Sequence, residues 1–296
     1  MIAYKRIKTV IAYTSFLLPA LLLYIVFVVY PVGSSFYYSL TNWDGINPIV
    51  HFIGFDNFKR LFQDTEVISA LKTSMIYVFF VALLQNVIAL LLAVSADRRI
   101  RLKTLYRSVI FIPALLSSLS IGYIWSYIYQ PTTGVLNIIL KGIGLQALAH
   151  DWLGSPKYAL GSVIFVTVWQ YIGPSMLIYL AGLQGVPTSL YEAADIDGTS
   201  GWGKFVHITF PLIAPSLTIN LVLSAIGGLK MFDLIFVMTG GGPGYATEVL
   251  SLAIYKKAFM QSSMGYGAAI AVVLSLIILL ITLAQLFFLR KREVEL

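Results

Sequence analysis

Two residues of opposite charge, Lys230 and Asp233, lie in a long apolar stretch that contains no other charge. Residues three apart share one face of a helix, so the sequence predicts that the two side chains lie close together. In lipid, such a pair faces the interior of a helix bundle or a wet cavity, because charge in hydrocarbon is costly. An ion-binding or ion-relay role and a structural ion pair both fit this pattern.

Aromatic, amide and hydroxyl groups come together at Trp169, Gln170 and Tyr171, again inside an apolar stretch. Ring faces suit the apolar face of a sugar ring, and amide and hydroxyl groups suit its hydroxyl rim. Side chains of these types also bond neighbouring helices to one another in membranes. We therefore expect either solute contacts or helix–helix contacts at these three residues.

Several other kinds of site are excluded or disfavoured by the residue types. The chain has no cysteine, which excludes thiol nucleophiles and thiolate metal sites. His51, His150 and His207 lie in three separate loops without metal-ligand spacing, so we predict no metal site. No constellation of His, Asp, Glu and Ser lies within the apolar stretches, so we predict no catalytic residues and no enzyme activity.

Glycine-rich segments of the chain do not match a phosphate-binding loop. Residues 240–244 read Gly-Gly-Gly-Pro-Gly without the lysine, and Gly203-Lys204 is followed by Phe205 instead of Ser or Thr. We predict no nucleotide site and no cofactor bound by this chain. The basic residues lie beside membrane ends without interleaved aromatic residues for base stacking, which argues against nucleic acid as a partner.

The elements that must position these residues are membrane-spanning helices. The chain is 58% apolar and only 11% charged, whereas about 25% of the residues in soluble domains are charged. A spanning helix needs about 20 apolar residues to cross roughly 30 Å of hydrocarbon. The sequence predicts an all-α integral membrane protein with six transmembrane helices in a single domain over residues 1–296. The predicted spans are at about 10–32, 73–96, 108–129, 158–183, 212–238 and 266–289.

The distribution of basic residues predicts the orientation of these spans. Most of the 20 lysines and arginines fall on one side, and several crowd into the short link between the second and third spans. Because cytoplasmic loops are enriched in Lys and Arg, this side is predicted to be cytoplasmic. Both termini and the loop at residues 187–211 then face the cytoplasm. The clustered residues are Arg98, Arg99, Arg101, Lys103 and Arg107.

The polar loop at residues 187–211 contains the signals of two short helices. Ser189 and Glu192 have the spacing of a capping box, in which each side chain bonds a free backbone N–H at the helix start. Gly198 suits the left-handed conformation that ends many helices. A second short helix is predicted from Gly201 onwards, and it fits either the groove of a partner protein or the membrane surface. Its apolar edge consists of Trp202, Phe205 and Ile208.

The spacing in this loop resembles the signature of the membrane subunits of ATP-binding cassette importers that work with an external binding protein. That signature is Glu-Ala-Ala, three residues, Gly, nine residues, then Ile-x-Leu-Pro. This chain has Phe210 in place of the usual Leu, which exchanges one apolar residue for another. The matching residues are Glu192, Ala193, Ala194, Gly198, Ile208 and Pro211.

The resemblance is closest to the carbohydrate branch, of maltose or oligosaccharide type, and to the first of two different permeases that form a heterodimer. Residues 16–40, 54–58 and 239–243 also carry it. It implies that the loop at 187–211 is the ATPase-coupling element, seated in a cleft of the cytoplasmic ATPase. It also implies substrate contacts on the fourth span and near two serines. The residues concerned are Trp169, Gln170, Tyr171, Ser118 and Ser224.

The resemblance further implies the partners and the mechanism. Two cytoplasmic ATP-binding cassette ATPase subunits bind ATP and Mg, and a second homologous permease subunit pairs with this chain. An extracytoplasmic solute-binding protein delivers a sugar or oligosaccharide. ATP binding closes the ATPase subunits and the coupling loops transmit that closure, so the sugar moves inward by alternating access. The expected location is a prokaryotic plasma membrane.

A second interpretation is an ion-coupled secondary transporter in which Lys230 and Asp233 bind or relay the coupling ion. Such carriers commonly show inverted repeats and further ionisable groups near the middle of the membrane. Neither feature is evident in this sequence. The importer subunit is therefore the preferred prediction.

Overall fold

The structure is a computed structural model that describes residues 13–14, 16–97 and 102–292. Helices dominate these ranges, and their only strand-like feature is an isolated antiparallel bridge between Thr41 and Phe52. The all-α fold class predicted from the sequence is confirmed. The start of the first predicted span lies outside the described residues. So do three basic residues in the link between the second and third predicted spans, Arg98, Arg99 and Arg101.

Helices make up most of the described chain. In chain order they and the loop helices are α1 (Phe16–Ser39), α2 (Thr65–Asp97), α3 (Lys103–Leu115), α4 (Ser118–Ile128), α5 (Ala159–Gln184), α6 (Thr188–Ile196), α7 (Gly201–Leu212), α8 (Ala214–Leu229) and α9 (Met264–Leu289). Shorter helices lie at Asp56–Gln63, Val135–Gly142, Asp233–Met238 and Leu250–Tyr255. Within the described residues, α1, α2, α5 and α9 are each long and apolar enough to cross a membrane. The count rises from 4 to 6 if the bent pairs α3–α4 and α7–α8 are each one span.

The third predicted span is not one straight helix. Its two parts, α3 and α4, meet at an angle of 98°. The backbone between them is extended at Leu116 and Ser117, with ψ values of 147° and 134°. This break directly follows a 3₁₀ turn that contains Pro113, whose missing N–H interrupts the regular helical hydrogen bonds.

The fifth predicted span is also divided. The bend of 66° between α7 and α8 lies at the start of this span, and α8 ends at Leu229 instead of continuing to Met238. Its last turn contains Gly227 and Gly228, and adjacent glycines weaken a helix because they lose the most backbone entropy when they are ordered. A separate helix then begins at Asp233.

The chain divides into two compact units, and one consists of the part up to Gln63 together with Ile254–Val273. Within this unit the side chain of Asn57 is buried and donates hydrogen bonds to the carbonyl oxygens of Ser39 and Thr41, at 2.9 and 2.8 Å. A buried amide requires such partners. Asn57 thereby ties its own short helix to the end of α1.

The other unit is formed by Asp64–Ala253 and Leu274–Leu296, and it contains the residues of the candidate sites. Helix α5 approaches α3 closely at Gly173. A Cβ added there would lie 2.5 Å from the carbonyl oxygen of Ile110 and 2.7 Å from Cα of Phe111. Since backbone atoms cannot swing aside, the absence of a side chain at Gly173 is what allows the two helices to pack at this distance.

Candidate functional site

The motif at residues 187–211 folds into two short helices, α6 and α7, joined by a glycine turn. Gly198 has a φ of +69°, the left-handed conformation that the sequence predicted. The N–H of Gly198 donates to the carbonyl of Asp195 at 3.1 Å, and that of Thr199 donates to the carbonyl of Ala194 at 2.9 Å. A Cβ added at Gly198 would meet no atom within 4 Å, so conformation and not space requires glycine here.

The predicted capping box at the start of α6 is wrong. The helix begins at Thr188, and its N-cap is Pro187, with no side-chain hydrogen bond to the helix start. The carbonyl of Pro187 accepts a bond from the N–H of Leu190 at 3.2 Å. Ser189 therefore lies inside the first turn, where its hydroxyl cannot act as the cap. Glu192 is exposed and does not hold the helix start.

Two side-chain contacts that were not predicted hold α6 and α7 together. The ammonium group of Lys204 forms an ion pair with the carboxylate of Asp195, and the Lys204 side chain is only 20% exposed. The hydroxyl groups of Tyr191 and Thr209 share a hydrogen bond of 2.9 Å. The paired residues are 9 and 18 positions apart, which is too far for neighbours on one helix, and the turn at Gly198 brings them together.

The same loop exposes large apolar side chains. Trp202 is 74% exposed and Ile196 is 87% exposed. Trp202 stacks on Phe205, with ring centroids 5.6 Å apart, whereas Phe205 and Ile208 are half-buried. The apolar edge predicted for the second helix is therefore formed mainly by Trp202. An exposed tryptophan is a common anchor in protein interfaces.

The six residues of the matched motif divide into surface and interior positions. Exposed are Glu192, Ala193 and Gly198. Buried or half-buried are Ala194, Ile208 and Pro211. The first group is available to another protein, and the second group fixes how α6 and α7 pack.

A cavity of about 260 Å³ lies among α2, α5 and α8, with a mostly apolar surface that also contains several hydrogen-bonding groups. Its hydrogen-bonding groups are amides and hydroxyls, and none of the side chains that line it in the described part of the chain carries a charge. Tyr171 and Ser224, which were predicted as substrate contacts, line this cavity. Gln85, Ser175 and Asn220 also line it, and they were not predicted because nothing in their local sequence separates them from other polar residues in helices.

Hydrogen bonds between the helices fix the walls of the cavity. Nε2 of Gln85 on α2 donates to Oγ of Ser175 on α5 at 2.7 Å and to the carbonyl of Tyr171 at 3.4 Å. Nδ2 of Asn220 on α8 donates to the carbonyl of Ser175 at 3.1 Å. Ser175 is therefore the point where all three helices meet.

A second polar junction joins the same helices. Nδ2 of Asn86 donates to Oγ of Ser224 at 3.1 Å, and Oδ1 of Asn86 accepts a bond from the hydroxyl of Tyr179 at 2.7 Å. All three side chains are buried. Because no water competes for these groups, each of them needs its partner.

The consecutive residues Trp169, Gln170 and Tyr171 have different surroundings. Nε2 of Gln170 donates to Oγ of Ser118 at 3.2 Å, and the hydroxyl of Tyr171 shares a 3.0 Å hydrogen bond with the same oxygen. Trp169 lies outside the cavity, edge-on to Trp125 at 5.4 Å. Ser118 and Gln170 thus connect α4 to α5, which is the helix–helix role that the sequence left open.

The predicted pairing of Lys230 and Asp233 is wrong. Lys230 caps the end of α8, and Asp233 begins the next helix after a non-helical step, so no single helix face holds both. Both residues are exposed, and no ion pair joins them in the part of the chain that the structure describes. Neither residue lines the cavity. An ion-binding pair at this position has no structural support.

Comparisons with known proteins agree with this arrangement of helices. The chain is similar to the crystal structure of a bacterial ABC transporter involved in the import of the acidic polysaccharide alginate, with a TM-score of 0.85, and the match covers 98% of this chain and 99% of that chain. The two sequences are 24% identical, so this likeness concerns the fold.

Relatives with higher identity cover almost the whole chain. The Probable starch degradation products transport system permease protein of Thermoanaerobacterium thermosulfurigenes is 36% identical, over 98% of this chain and 98% of the relative. The sn-glycerol-3-phosphate transport system permease protein of Agrobacterium fabrum is 34% identical, over 93% of each chain. A family described as binding-protein-dependent transport system inner membrane component matches residues 85–294, which include the loop and nearly all the residues that line the cavity. The chain therefore belongs to the family of inner membrane components of binding-protein-dependent transport systems.

Proposed function

We propose that the chain is a membrane-spanning permease subunit of an ATP-binding cassette importer that moves a sugar or oligosaccharide inward by alternating access. The observation that carries the proposal is the exposed pair of helices at residues 187–211, which an ion pair and a hydrogen bond hold together. A rigid element of this kind transmits displacement from a soluble motor to helices in lipid. Starch degradation products are the cargo named for a relative that is 36% identical, which supports a carbohydrate substrate.

The energy comes from other subunits in this proposal. Two cytoplasmic ATP-binding cassette ATPase subunits bind ATP and Mg, and this chain contributes transport rather than catalysis. A second homologous permease subunit completes the pathway through the membrane. An extracytoplasmic solute-binding protein delivers the sugar.

The proposed topology has six spans in one transmembrane domain over residues 1–296, with α3–α4 counted as one span and with α8 and the helix at Asp233–Met238 together counted as another. Lys103 and Arg107 lie in the first turns of α3, Lys204 lies in the loop at residues 187–211, and Arg290 follows α9. Their basic side chains favour a cytoplasmic location for this loop and for both termini. The expected membrane is a prokaryotic plasma membrane.

We assign the ATPase-coupling role to the six motif residues, with one change from the sequence prediction. Glu192 is exposed and is not needed at the helix start, so its carboxylate is available to the ATPase subunit. Ala193 is small and exposed, which permits close approach. The remaining four residues, Ala194, Gly198, Ile208 and Pro211, set the shape of the loop.

The proposed solute pathway passes the cavity among α2, α5 and α8. Tyr171 and Ser224 keep the substrate role that the resemblance implied, and the lining residues Gln85, Ser175 and Asn220 join them. Ser118 and Gln170 position Tyr171 through their hydrogen bonds. Trp169, Lys230 and Asp233 lie outside the cavity and receive no role in it.

The coupling role is tested with Gly198→Ala and Gly198→Val in the complete transporter, reconstituted in lipid vesicles with its binding protein. A side chain in the left-handed conformation costs roughly 1 to 2 kcal/mol, and more if it is β-branched. We expect the variants to assemble and to hydrolyse ATP but to lower the amount of sugar imported per ATP severalfold, with Val worse than Ala. Sugar uptake and phosphate release are measured on the same vesicles.

Gly201→Ala is the matched control. Gly201 lies in the same loop, has no atom within 4 Å of an added Cβ, and does not have a positive φ. We expect its coupling ratio to equal that of the native protein. Uptake that follows an ion gradient without any ATPase subunit, or normal coupling in Gly198→Val, contradicts the proposed function.

A further inference from the structure

Two basic residues at the start of α3 lie next to each other on one face of the helix. Lys103 and Arg107 are four positions apart, the spacing that brings two side chains together on a helix surface. Both residues are half-buried. Like charges at this spacing repel each other, so an anion bound between them would stabilise the start of α3.

The guanidinium group of Arg107 has hydrogen-bond donors without an acceptor. Its Nε and Nη2 atoms are buried and have no hydrogen-bond partner among the described residues. A buried donor without a partner costs free energy, and the cost is larger for a charged group. No carboxylate in the described part of the chain forms an ion pair with Lys103 or Arg107. The positive charge at this place is therefore not balanced by the chain that the structure describes.

An apolar groove begins beside Arg107. The groove lies among α2, α3 and α5 and has a volume of about 730 Å³. Val109 and Ile110 line it on α3, within one turn of Arg107, and Leu92 lines it on α2. The hydroxyl of Tyr106 donates to the carbonyl of Leu92 at 3.4 Å, which brings this end of the groove next to the basic pair.

The lining of the groove suits a hydrocarbon chain. On α2 it is a row of large apolar side chains, one at every fourth position, and in the described chain Lys157 is the single charged residue of the lining. No acidic side chain lines the described part of the groove, so nothing there repels an anionic headgroup. The residues of the row on α2 are Ile76, Phe80, Leu84, Ile88 and Leu92.

We propose that Lys103 and Arg107 bind the phosphate of an anionic phospholipid, and that one acyl chain of this lipid lies in the adjacent end of the groove. Phosphate oxygens accept hydrogen bonds from a guanidinium group, and the negative charge of the lipid balances both cations. Basic pockets between membrane helices are suited to anionic lipid headgroups. The inference goes beyond the proposed function and uses only the proposed topology, which places the start of α3 at a membrane surface.

Two other occupants fit the surroundings less well. A free phosphate ion balances the charge of Lys103 and Arg107 but leaves the groove beside them empty. A helix of another subunit covers the groove but supplies no acceptor to Arg107 unless it carries an acidic residue at the same level. A lipid supplies the acceptor and the apolar chain in one molecule.

The test measures lipid binding to the complete transporter in a neutral detergent by native mass spectrometry. Phosphatidylglycerol is compared with phosphatidylcholine that has the same acyl chains, and inorganic phosphate is added as a competitor. We expect phosphatidylglycerol to bind about fivefold more tightly than phosphatidylcholine or better, and to remain bound when phosphate is added. Equal binding of the two lipids, or displacement by inorganic phosphate, overturns the inference.

The two basic residues are tested with Lys103→Gln and Arg107→Gln. Each variant is expected to weaken the binding of phosphatidylglycerol about fivefold, the effect of one basic residue near an anionic lipid surface, and to leave that of phosphatidylcholine unchanged. Arg290→Gln is the matched control, because it removes an exposed positive charge on the same side of the membrane in the proposed topology. Equal losses in all three variants mean that only net charge matters, which overturns the assignment.

Thermal unfolding of the same complexes gives an independent measurement. Because the donors of Arg107 are unpaired without a lipid, Arg107→Met is not expected to lower the unfolding midpoint in neutral detergent. Phosphatidylglycerol should raise the midpoint of the native complex more than that of Arg107→Met, since a ligand stabilises the protein that binds it. An equal rise in both overturns the inference.

A carboxylate of another subunit as the partner of Arg107 gives a different result. Arg107→Met would then impair assembly of the transporter, and the native complex would show no preference for phosphatidylglycerol, which overturns the lipid site. If a variant does not assemble although the native complex prefers phosphatidylglycerol, Lys103→Gln against Arg290→Gln decides the assignment. These measurements need neither sugar nor ATP, so their failure leaves the proposed importer function unaffected.

Discussion

The loop at residues 187–211 and the cavity among α2, α5 and α8 are built in opposite ways. The loop presents two large apolar side chains outward, Trp202 and Ile196, and is held by contacts within one short segment. The cavity buries its polar groups and depends on hydrogen bonds between residues as far as 138 positions apart, as between Asn86 and Ser224. Substitutions in the loop should therefore affect contacts with a partner, whereas substitutions around the cavity should affect the stability of the chain.

Gly173→Ala is expected to have the largest effect on stability. The added Cβ would collide with backbone atoms of Ile110 and Phe111 on α3, which cannot move without shifting the helix. Overpacking of this kind costs about 1 to 3 kcal/mol. Gly161→Ala is the control, because it lies on the same helix and has no atom within 4 Å of an added Cβ. Thermal unfolding in detergent measures both variants, and equal midpoints contradict the close contact between α3 and α5.

Removal of one hydroxyl group in each region compares them directly. Tyr179→Phe deletes a buried hydrogen bond to Asn86, and Tyr191→Phe deletes the bond to Thr209 in the loop. Hydrogen bonds between helices in membranes contribute about 0.6 kcal/mol on average and up to about 1.7 kcal/mol. We expect Tyr179→Phe to lower the unfolding midpoint, and Tyr191→Phe to leave it nearly unchanged while lowering sugar import per ATP. A lower unfolding midpoint for Tyr191→Phe than for Tyr179→Phe contradicts the proposed difference between the loop and the cavity.

Lys204→Gln is expected to have the smallest effect. It removes the ion pair with Asp195, and pairs with an exposed partner typically contribute about 0.2 to 1 kcal/mol, less in high salt. Import per ATP should fall modestly at low ionic strength and approach the native value as salt is added. Lys59→Gln breaks another exposed pair, with Asp56, and serves as the control outside the loop. Similar salt dependence in both variants means that the Lys204 pair has no special role in coupling.

Local patterns identified the loop and its glycine turn before any three-dimensional information. Gly198 was predictable because the left-handed conformation is a property of one residue. The capping-box prediction was wrong because the spacing of Ser189 and Glu192 does not reveal that the helix already begins at Thr188, directly after Pro187. The ion pair of Lys204 with Asp195 depends on the angle at which α6 and α7 meet, which spacing does not give.

The cavity was only partly predictable for a different reason. The apolar runs predict where the helices lie. They also predict one continuous helix through Lys230 and Asp233, because no polar segment divides the run that contains both residues. The helix ends at two adjacent glycines, Gly227 and Gly228, and the charges then fall on separate elements. Gln85 and Asn220 became candidates only when three helices placed them around one space.

The neutral lining of the cavity has a consequence for the energetics of translocation. An elementary charge that crosses a membrane potential of 100 mV gains or loses about 2.3 kcal/mol. That voltage does no work on an uncharged solute as it passes the neutral side chains of this cavity. The transfer of such a solute past this cavity is then expected to be independent of the membrane potential.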